Sequence, residues 1–469
     1  MAQQGMSSAV CALVAALLAA APGAAAQSAQ GACASSKPNS ACTAIPQTAL
    51  EPRASPSTAP GLPSPADTAD GDRIVDRPIA PHGAGWKVAR VPLAPFLLFG
   101  TGFEKGLKRL EYDHLQLKLK HWMQQLERKH IQPMLGGLGT GTGFAVGVKI
   151  FDHEFLHRRV RLEIPLQQSP SNYLQYGSLL AFNLAGERAL FLEFSAQFRN
   201  RPKEDFFGLG NDSVAAFRTT YKLVDRSAGA ALGTEFFGRT NRGMKSGVRL
   251  EASARYINTN IYGGLDDNFP VTQAVFPTLN GLARGSSLLR YGFSGSYYIL
   301  DNPSDPHAGF RARAKYYRVD SRNSDPFNFN ESGATAEGYI PLGKPRTLAL
   351  RLLSEFRSAR NGGRVPFYHL PFLGGSSTMR GFREFRFYDN AALLINLEYR
   401  YRVWKALDLV VFHDNGQVAP RGADFTWERF RGGFGGGMRV KGKKGATLQF
   451  FVGRSSEGTR YYISFKPEF

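Results

Sequence analysis

The strongest constraint on the fold is a period-two alternation of apolar and charged residues, which runs from residue 138 to the end of the chain. The segment 390–403, NAALLINLEYRYRV, shows it most clearly. One face carries leucine, isoleucine, tyrosine and valine, and the other carries asparagine, glutamate and arginine. This alternation predicts β-strands, because successive side chains of a strand point to opposite faces. Residues 310–317 and 460–469 repeat the pattern.

These predicted strands have the properties of membrane-spanning strands. Each is about ten residues long, with one heavily charged face and one apolar face that ends in aromatic residues, as the strands of outer-membrane barrels do. Lipid offers no hydrogen-bond partner for a free strand edge, so such strands must close on themselves. We therefore predict an all-β membrane protein: a 16-stranded antiparallel transmembrane β-barrel with a charged lumen, preceded by an amphipathic helix.

The connections between the strands predict the orientation of the barrel. An even number of strands places both ends on the periplasmic side, so the long connections at 257–285, 359–389 and 415–430 face outwards. Residues 199–213 do not fit, because they form a long connection where a short turn is expected. The predicted strands are 138–150, 157–167, 172–184, 188–198, 214–224, 227–238, 244–256, 286–300, 307–320, 330–341, 346–358, 390–402, 405–414, 431–441, 446–453 and 459–469.

The residues before the barrel divide into three parts. Residues 1–26 contain an apolar run that ends in Ala-x-Ala, which predicts a signal peptide. Residues 27–85 are rich in Pro, Ala and Ser and predict a linker. Residues 86–131 predict a periplasmic segment, with an amphipathic helix over 102–131 that either contacts the membrane or pore, or packs on the protein. The barrel domain is predicted to occupy 132–469.

Charge and cysteine content limit the possible partners. The net charge is +20, but the basic residues are spread along strands, so we expect outer-membrane lipids and lipopolysaccharide as partners and no nucleic acid. After the signal peptide, no run of about 18 apolar residues predicts a transmembrane helix. Cys33 and Cys42 follow the predicted signal peptide, and whether they pair is left open.

One short motif suggests an enzyme. His153-Glu154-Phe155-Leu156-His157 fits H-E-x-x-H, in which two histidines one helical turn apart bind zinc. Alternating residues precede and follow the motif, which therefore falls in the loop of the first hairpin, on the outer side, where helical spacing is lost. We predict no enzymatic activity, no metal site and no cofactor.

A late segment carries a family resemblance. Residues 372–390, FLGGSSTMRGFREFRFYDN, resemble the bacterial surface-antigen, or outer-membrane protein assembly, barrel superfamily. That superfamily includes the barrel-assembly insertase and the two-partner secretion transporters, and it has an Arg-Gly-Phe/Tyr triplet in a loop folded into the lumen. The triplet here is Arg380, Gly381 and Phe382.

A second family motif, Phe-x-Asp-x-Gly, is present as Phe412, Asp414 and Gly416. The resemblance implies that Arg380 pairs with Asp414 on the barrel wall, and Glu398 is a second inward-facing carboxylate. A buried guanidinium needs such a partner.

The C-terminal strand is similar to that of other outer-membrane barrels. Such strands end in an aromatic residue that the assembly machinery reads, and the corresponding residues here are Phe469 and Phe465. The resemblance thus implies the barrel-assembly machinery as a partner for insertion of this chain. Family members usually carry periplasmic polypeptide-transport domains, whereas residues 27–131 show no such pattern, which suggests a subgroup without them.

Two functions are consistent with these patterns. The resemblance implies a bacterial outer-membrane protein that aids insertion or translocation of proteins or lipids, with unfolded outer-membrane or secreted proteins as partners. The alternative is a passive pore that prefers anions, because inward-facing cations would line the lumen. Those cations are Arg311, Arg313, Lys315, Arg400 and Arg402.

Overall fold

The computed structural model describes residues 125–136, 138, 144–155, 160–185, 189–240, 243–283, 285–323, 325–441 and 447–465. Several predictions fall outside these ranges. They are the signal peptide, the linker with Cys33 and Cys42, and residues 102–124 of the predicted helix. Residues 125–128 are helical and the next element is already a strand, so the predicted helix ends earlier than expected. Among the described residues, no helix has the length and hydropathy needed to cross a membrane.

Sixteen antiparallel strands form one continuous sheet, which confirms the predicted fold class. Of the fifteen neighbouring pairs, fourteen join strands that are consecutive in the chain, and one joins the strands on either side of the long loop at 360–390. The strands of this wall are β1 (Ile131–Gly136), β2 (Ala145–Phe155), β3 (Val160–Gln168), β4 (Leu174–Ala185), β5 (Leu190–Phe206), β6 (Thr219–Arg239), β7 (Lys245–Gly263), β8 (Ser286–Leu300), β9 (Gly309–Ser321), β10 (Phe329–Pro341), β11 (Arg346–Ala359), β14 (Ala391–Trp404), β15 (Leu407–Ala419), β16 (Arg431–Lys441), β17 (Thr447–Ser455) and β18 (Gly458–Phe465).

The sheet is curved, but its two edges are not joined. Cα atoms of β1 and β18 approach within 8 Å, yet the described residues of these two strands form no ladder, and the strand order begins at β1 and ends at β18. We call this gap the seam.

The predicted number of strands is correct although two of the predicted strands are wrong, because one strand was divided in two and another was missed. β6 runs without a break through Asp225 and Arg226, where two strands were expected, and β1 replaces the end of the predicted helix. The long β6 is favoured because its partners β5 and β7 are also long, so hydrogen bonds continue past the expected turn.

The extra strand at the start shifts every early connection to the other end of the sheet. The connection at 207–218 therefore lies at the same end of the sheet as the long loops at 264–285, 360–390 and 420–430. A long connection is expected at that end, so the predicted 199–213 loop no longer conflicts with the pattern. The HEFLH motif begins at the end of β2, which its first three residues close, and thus lies at the end of the sheet opposite the long loops, whereas the sequence placed it at the same end as those loops. Their extended backbone does not give the helical spacing that a zinc site needs.

Burial follows the alternation of each strand. Outward residues such as Val411 and Phe293 are 62% and 67% exposed, whereas Phe412 and Asp414, which point inwards from the same strand as Val411, are buried. Large apolar side chains on the outer face and charged side chains on the inner face are the pattern of a β-sheet whose outer face contacts lipid.

The long loop between β11 and β14 folds into the interior. It contains a small hairpin, β12 (Phe372–Leu373) and β13 (Phe387–Tyr388), and the segment between these strands lies against the inner wall. Phe367, Leu370, Phe385 and Tyr388 of this loop pack with residues of neighbouring loops and strand ends into the main apolar cluster. The loop is thus held at a fixed place inside the sheet.

Candidate functional site: the buried loop tip

Arg380 at the tip of the long loop is buried against the inner wall. Its Nε and Nη2 atoms donate to the two carboxylate oxygens of Asp414 at 2.7 Å each, and its backbone N–H donates to Oδ2 of Asp414 at 3.0 Å. Its Nη1 atom donates to Oε1 of Glu398 at 2.7 Å. Each guanidinium nitrogen therefore has a carboxylate partner, the arrangement in which a charged hydrogen bond is strongest.

The alternation of β14 and β15 places both acceptors inside. Glu398 and Asp414 have no exposed surface, and the ring of Phe412 lies under the guanidinium, with 3.6 Å between Cζ of Arg380 and the ring centroid. Phe412, two residues before Asp414 on the same face, adds a cation–π contact. The structure thus brings together the predicted Arg380, Phe412, Asp414 and Glu398.

Glu398 is the centre of a larger charge network than the sequence suggested. Besides Arg380, it accepts hydrogen bonds from Nε of Arg400 at 2.9 Å and from Nη2 of Arg439 at 2.8 Å. Both arginines are buried. Three guanidinium groups thus face one carboxylate, with Asp414 as the second anion at the site.

The charge of Arg380 is maintained by these carboxylates. Burial, the largest single influence, would lower the pKa of the guanidinium, but Asp414 and Glu398 together outweigh it and raise that pKa above its ordinary value. The loop tip therefore carries a fixed positive charge, and its position depends on the two wall carboxylates.

The backbone around the tip is held by a second set of residues. Asn396 donates through Nδ2 to Oδ1 of Asp414 at 2.7 Å and to the backbone oxygen of Thr378 at 2.8 Å. Arg351 donates to Oδ1 of Asn396 and to the backbone oxygen of Ser377, both at 2.8 Å. These bonds join β11, β14 and β15 to the residues just before Arg380.

Gly381 and Phe382 place the tip against the last hairpin of the sheet. Gly381 has a φ of +100°, which side chains other than glycine rarely adopt. Its N–H donates to the hydroxyl of Tyr462 at 2.9 Å, and that hydroxyl donates to the backbone oxygen of Phe382 at 2.7 Å. Ser455 Oγ donates to the backbone oxygen of Gly381 at 2.8 Å. The tip is thus bonded to β17 and β18, next to the seam.

Glycines on the wall make this close approach possible. A Cβ on Gly433 would lie 2.0 Å from the backbone oxygen of Arg380, and a Cβ on Gly416 would lie 2.7 Å from Cδ1 of Leu373. The predicted Gly416 therefore makes room for the loop, while Phe382 is buried and contacts Phe387 edge to face, with 5.3 Å between ring centroids.

A second arginine of the loop crosses to other elements. Arg386 donates through Nε to Oε1 of Glu457 in the β17–β18 turn at 2.6 Å and through Nη1 to Oγ of Ser213 at 2.7 Å. Burial is the main cause that lowers the pKa of Arg386, and Glu457 opposes it. The loop therefore links the last hairpin to the connection after β5.

Sequence reasoning missed Arg386, Arg439, Tyr462 and Ser455. Alternation does place Tyr462 and Arg439 on inward faces, but only the folded loop shows which inward residues reach its tip. Phe465 closes β18 opposite Leu448, and Phe469 lies outside the described residues, so their role as an assembly signal stays a prediction.

Comparisons with known proteins agree with this geometry. The model of the Omp85 superfamily domain matches residues 189–445, more than half of the chain. The comparison with curated proteins gives no match. Among solved structures, BamA from Haemophilus ducreyi lacking POTRA domains 1–3 is similar at 15% identity and a TM-score of 0.50, over 72% of this chain and 68% of that one.

Two other solved structures are similar. CdiB from Acinetobacter baumannii aligns at 13% identity, with a TM-score of 0.46 over 71% of this chain and 58% of its own. CdiB from Escherichia coli aligns at 11% identity, with a TM-score of 0.47 over 72% and 61%. This chain thus spans less than two thirds of the CdiB chains.

Proposed function

Because the chain belongs to the Omp85 superfamily, we propose that it resides in the bacterial outer membrane and aids the insertion or translocation of proteins or lipids. Its partners are then unfolded outer-membrane or secreted proteins, outer-membrane lipids with lipopolysaccharide, and the barrel-assembly machinery that inserts the chain itself. The observation that carries the proposal is the buried loop tip. A loop charged at Arg380 is fixed to wall carboxylates and bonded to β18, the strand that borders the seam.

The seam supplies the chemistry that such a role needs. The described residues of β1 and β18 leave strand edges whose backbone groups have no ladder partner in the sheet. An edge of this kind can pair with an incoming strand. The loop tip contacts β18 through Tyr462, so loop position and seam geometry are linked.

Depletion of the protein tests the proposal. We expect loss of specific proteins or lipids from the outer membrane, restored by the wild-type chain and by Arg421→Ala, whose side chain is 80% exposed, but not by Arg380→Ala. Separate analyses of proteins and lipids show which cargo is affected. An outer membrane of unchanged protein and lipid composition after depletion would contradict an assembly role.

The contacts do not favour the anion-preferring pore. Arg311 and Arg313 both pair with Glu337, and Lys315 pairs with Glu355 at 2.6 Å. The other two lumen cations also have carboxylate partners, Glu398 for Arg400 and Asp305 for Arg402. These pairs reduce the field that the cations offer to anions, although Arg311 and Arg313 share one carboxylate and Glu398 is shared among three arginines. Planar-bilayer recordings with reversal potentials in a salt gradient would detect an anion preference.

A further inference from the structure

The turn between β8 and β9, residues 301–308, is preformed by its own hydrogen bonds. Oδ1 of Asp301 accepts the N–H groups of His307 at 2.9 Å and of Ala308 at 3.0 Å. The N–H of Asp301 donates to the backbone oxygen of Ala308 at 3.1 Å. The turn is longer than the other connections at its end of the sheet, such as 342–345 and 405–406. It therefore behaves as one ordered unit rather than as a loose connection.

This turn contacts a distant part of the wall. Nζ of Lys441 on β16 lies 2.8 Å from Oδ2 of Asp305, and Nη2 of Arg402 at the end of β14 lies 2.7 Å from the same oxygen. Nη2 of Arg402 also contacts the ring of His307. In the order of the sheet, β16 is five strands from β9, which is about 24 Å along the wall at the usual strand spacing. The turn therefore leaves its own hairpin and crosses part of the mouth of the sheet.

The part of the wall that receives the turn, three to five strands from β9, supplies matching charges. Asp408 on β15 is buried and pairs with both cations, with Lys441 directly and with Nε of Arg402 at 3.3 Å. Each cation is thus shared between a carboxylate of the wall, Asp408, and a carboxylate of the turn, Asp305. Two positive and two negative groups alternate, so the turn neutralises a charge that the wall alone would leave in excess.

These contacts also exclude a metal site. Donor atoms of Asp305, His307 and Asp408 lie within 4.8 Å of one another, as ligands of a cation would. Lys441 and Arg402 already bring positive charge to these oxygens, so a divalent cation would meet repulsion there.

We propose that residues 301–308 form a strap that partly closes the lumen at the end opposite the long loops, held by the bonds of Asp305 to Lys441 and Arg402. In an outer-membrane protein this end faces the periplasm, and cargo entering from there would require the strap to be released. That last step rests on the proposed function, whereas the closure itself does not. The side chains of Arg402 and Asp305 are partly exposed, so water can replace their contact without a change in the strands of the wall.

Distance measurements in the full-length protein test the strap. Spin labels are placed at Ser304, exposed on the strap, and at Lys405, exposed in the β14–β15 turn, with Cys11, Cys33 and Cys42 replaced by serine. Electron–electron double resonance should give one narrow distribution in the parent protein. Asp305→Ala should shift the distribution to longer distances and broaden it, because both Lys441 and Arg402 lose their carboxylate partner on the strap.

Asn302→Ala is the control for the turn itself: it removes the side-chain acceptor of the Ser304 N–H at 3.2 Å but keeps the bonds of Asp305 to Lys441 and Arg402, so it should leave the parent distance in place. A distribution that is the same in the parent protein and in Asp305→Ala would overturn the strap. A variant with a released strap that still supports outer-membrane composition after depletion would show that closure has no part in the proposed function. An unchanged outer membrane in the depleted cells themselves would reject the proposed function and leave the measured closure standing.

Discussion

The guanidinium of Arg380 and the carboxylate of Asp414 form a bidentate pair in which both partners are buried, with two bonds of 2.7 Å. Removing two charges from water costs about as much as their mutual attraction returns, so the pair is a weak source of net stability. Its geometry, however, permits only one position of the loop tip. We interpret the pair as the element that selects where the tip lies on the wall.

Removing either partner should destabilise the protein strongly. Arg380→Ala leaves Asp414 buried without its cation, and Asp414→Ala leaves the guanidinium with Glu398 alone, so we expect each change to cost about 3–5 kcal/mol of unfolding free energy. The double variant should cost less than the sum of the two, by about 1–3 kcal/mol. Urea titration in detergent micelles gives all three values.

The exposed pair Arg421–Asp424 is the matched control for this cycle. Its shortest distance is 3.1 Å, but the Arg421 side chain is 80% exposed, so each truncation should leave the unfolding free energy nearly unchanged. Additive effects of Arg380→Ala and Asp414→Ala would mean that the two residues do not interact in the folded protein.

Gly433→Ala should displace the loop tip. The added Cβ would lie 2.0 Å from the backbone oxygen of Arg380, and backbone atoms at both sides leave little room for adjustment. We expect a loss of about 1–3 kcal/mol, as for other overpacked sites, and faster protease cleavage within 374–386. Gly338→Ala is the control, because a Cβ at that strand glycine meets nothing within 4 Å. Equal protease resistance of the two variants would contradict the close approach.

Tyr462→Phe tests the bond between the loop tip and the strand at the seam. The change keeps the ring but removes the hydroxyl that accepts from Gly381 and donates to Phe382, so two backbone groups lose their partner. We expect a cost of about 1–3 kcal/mol and faster hydrogen exchange at the Gly381 amide. The neighbouring Tyr461 is 80% exposed and points outwards, so Tyr461→Phe should leave that exchange rate unchanged. Slow exchange in both variants would show that the hydroxyl does not hold the tip.

The fold was predictable because alternation records which face of a strand meets lipid. The wall strands from β8 to β18 were predicted to within about five residues at each end, since turn residues bound them and one face of each is apolar, whereas the β12–β13 hairpin of the long loop was not predicted. β1 was missed because Ile131–Gly136 is short and begins where an amphipathic pattern ends. The false break at 225–226 arose because Asp225 and Arg226 resemble a turn, although Asp225 is buried and paired with Arg199 at 2.9 Å.

The site was predictable only in part. Alternation identified Glu398, Arg400 and Asp414 as inward residues, and the resemblance named Arg380 as the loop residue that meets them. Neither could indicate Arg386 or Tyr462, because their partners come from elements far apart in sequence, as with Arg386 and Ser213. The strap was missed for the same reason: a turn that crosses the mouth leaves no periodic pattern.

The strap should be sensitive to acid through His307. In the strapped position burial is the largest influence on the imidazole and lowers its pKa below the ordinary 6.5, with Arg402 and Lys441 acting in the same direction and Asp305 and Asp301 opposing them. The imidazole of a released strap therefore takes up a proton at a higher pH than that of a closed strap. Protonation favours release, and the strap loses stability as the pH falls from about 6.5 towards the lowered pKa.

Asp305 acts in the same direction at lower pH. Burial raises the pKa of this carboxyl, but Lys441, His307 and Arg402 outweigh burial and hold the pKa below its ordinary 3.8, so the contribution of Asp305 is lost only as the pH falls through that lowered value. Two further groups face the strap: Asp408, which pairs with the same two cations, and Arg311, which donates to the backbone oxygen of Pro303 at 3.0 Å.

The spin-label distance between positions 304 and 405 should therefore lengthen in two stages as the pH is lowered, the first beginning near pH 6.5 and the second below the ordinary range of aspartate. His307→Gln carries no titratable proton at this position, so it should abolish the first stage and retain the second. His130→Gln, at a histidine before β1 and outside the strap, should keep both stages. If His307→Gln and the parent protein gave the same profile, the first stage would belong to another group and His307 would have no part in release.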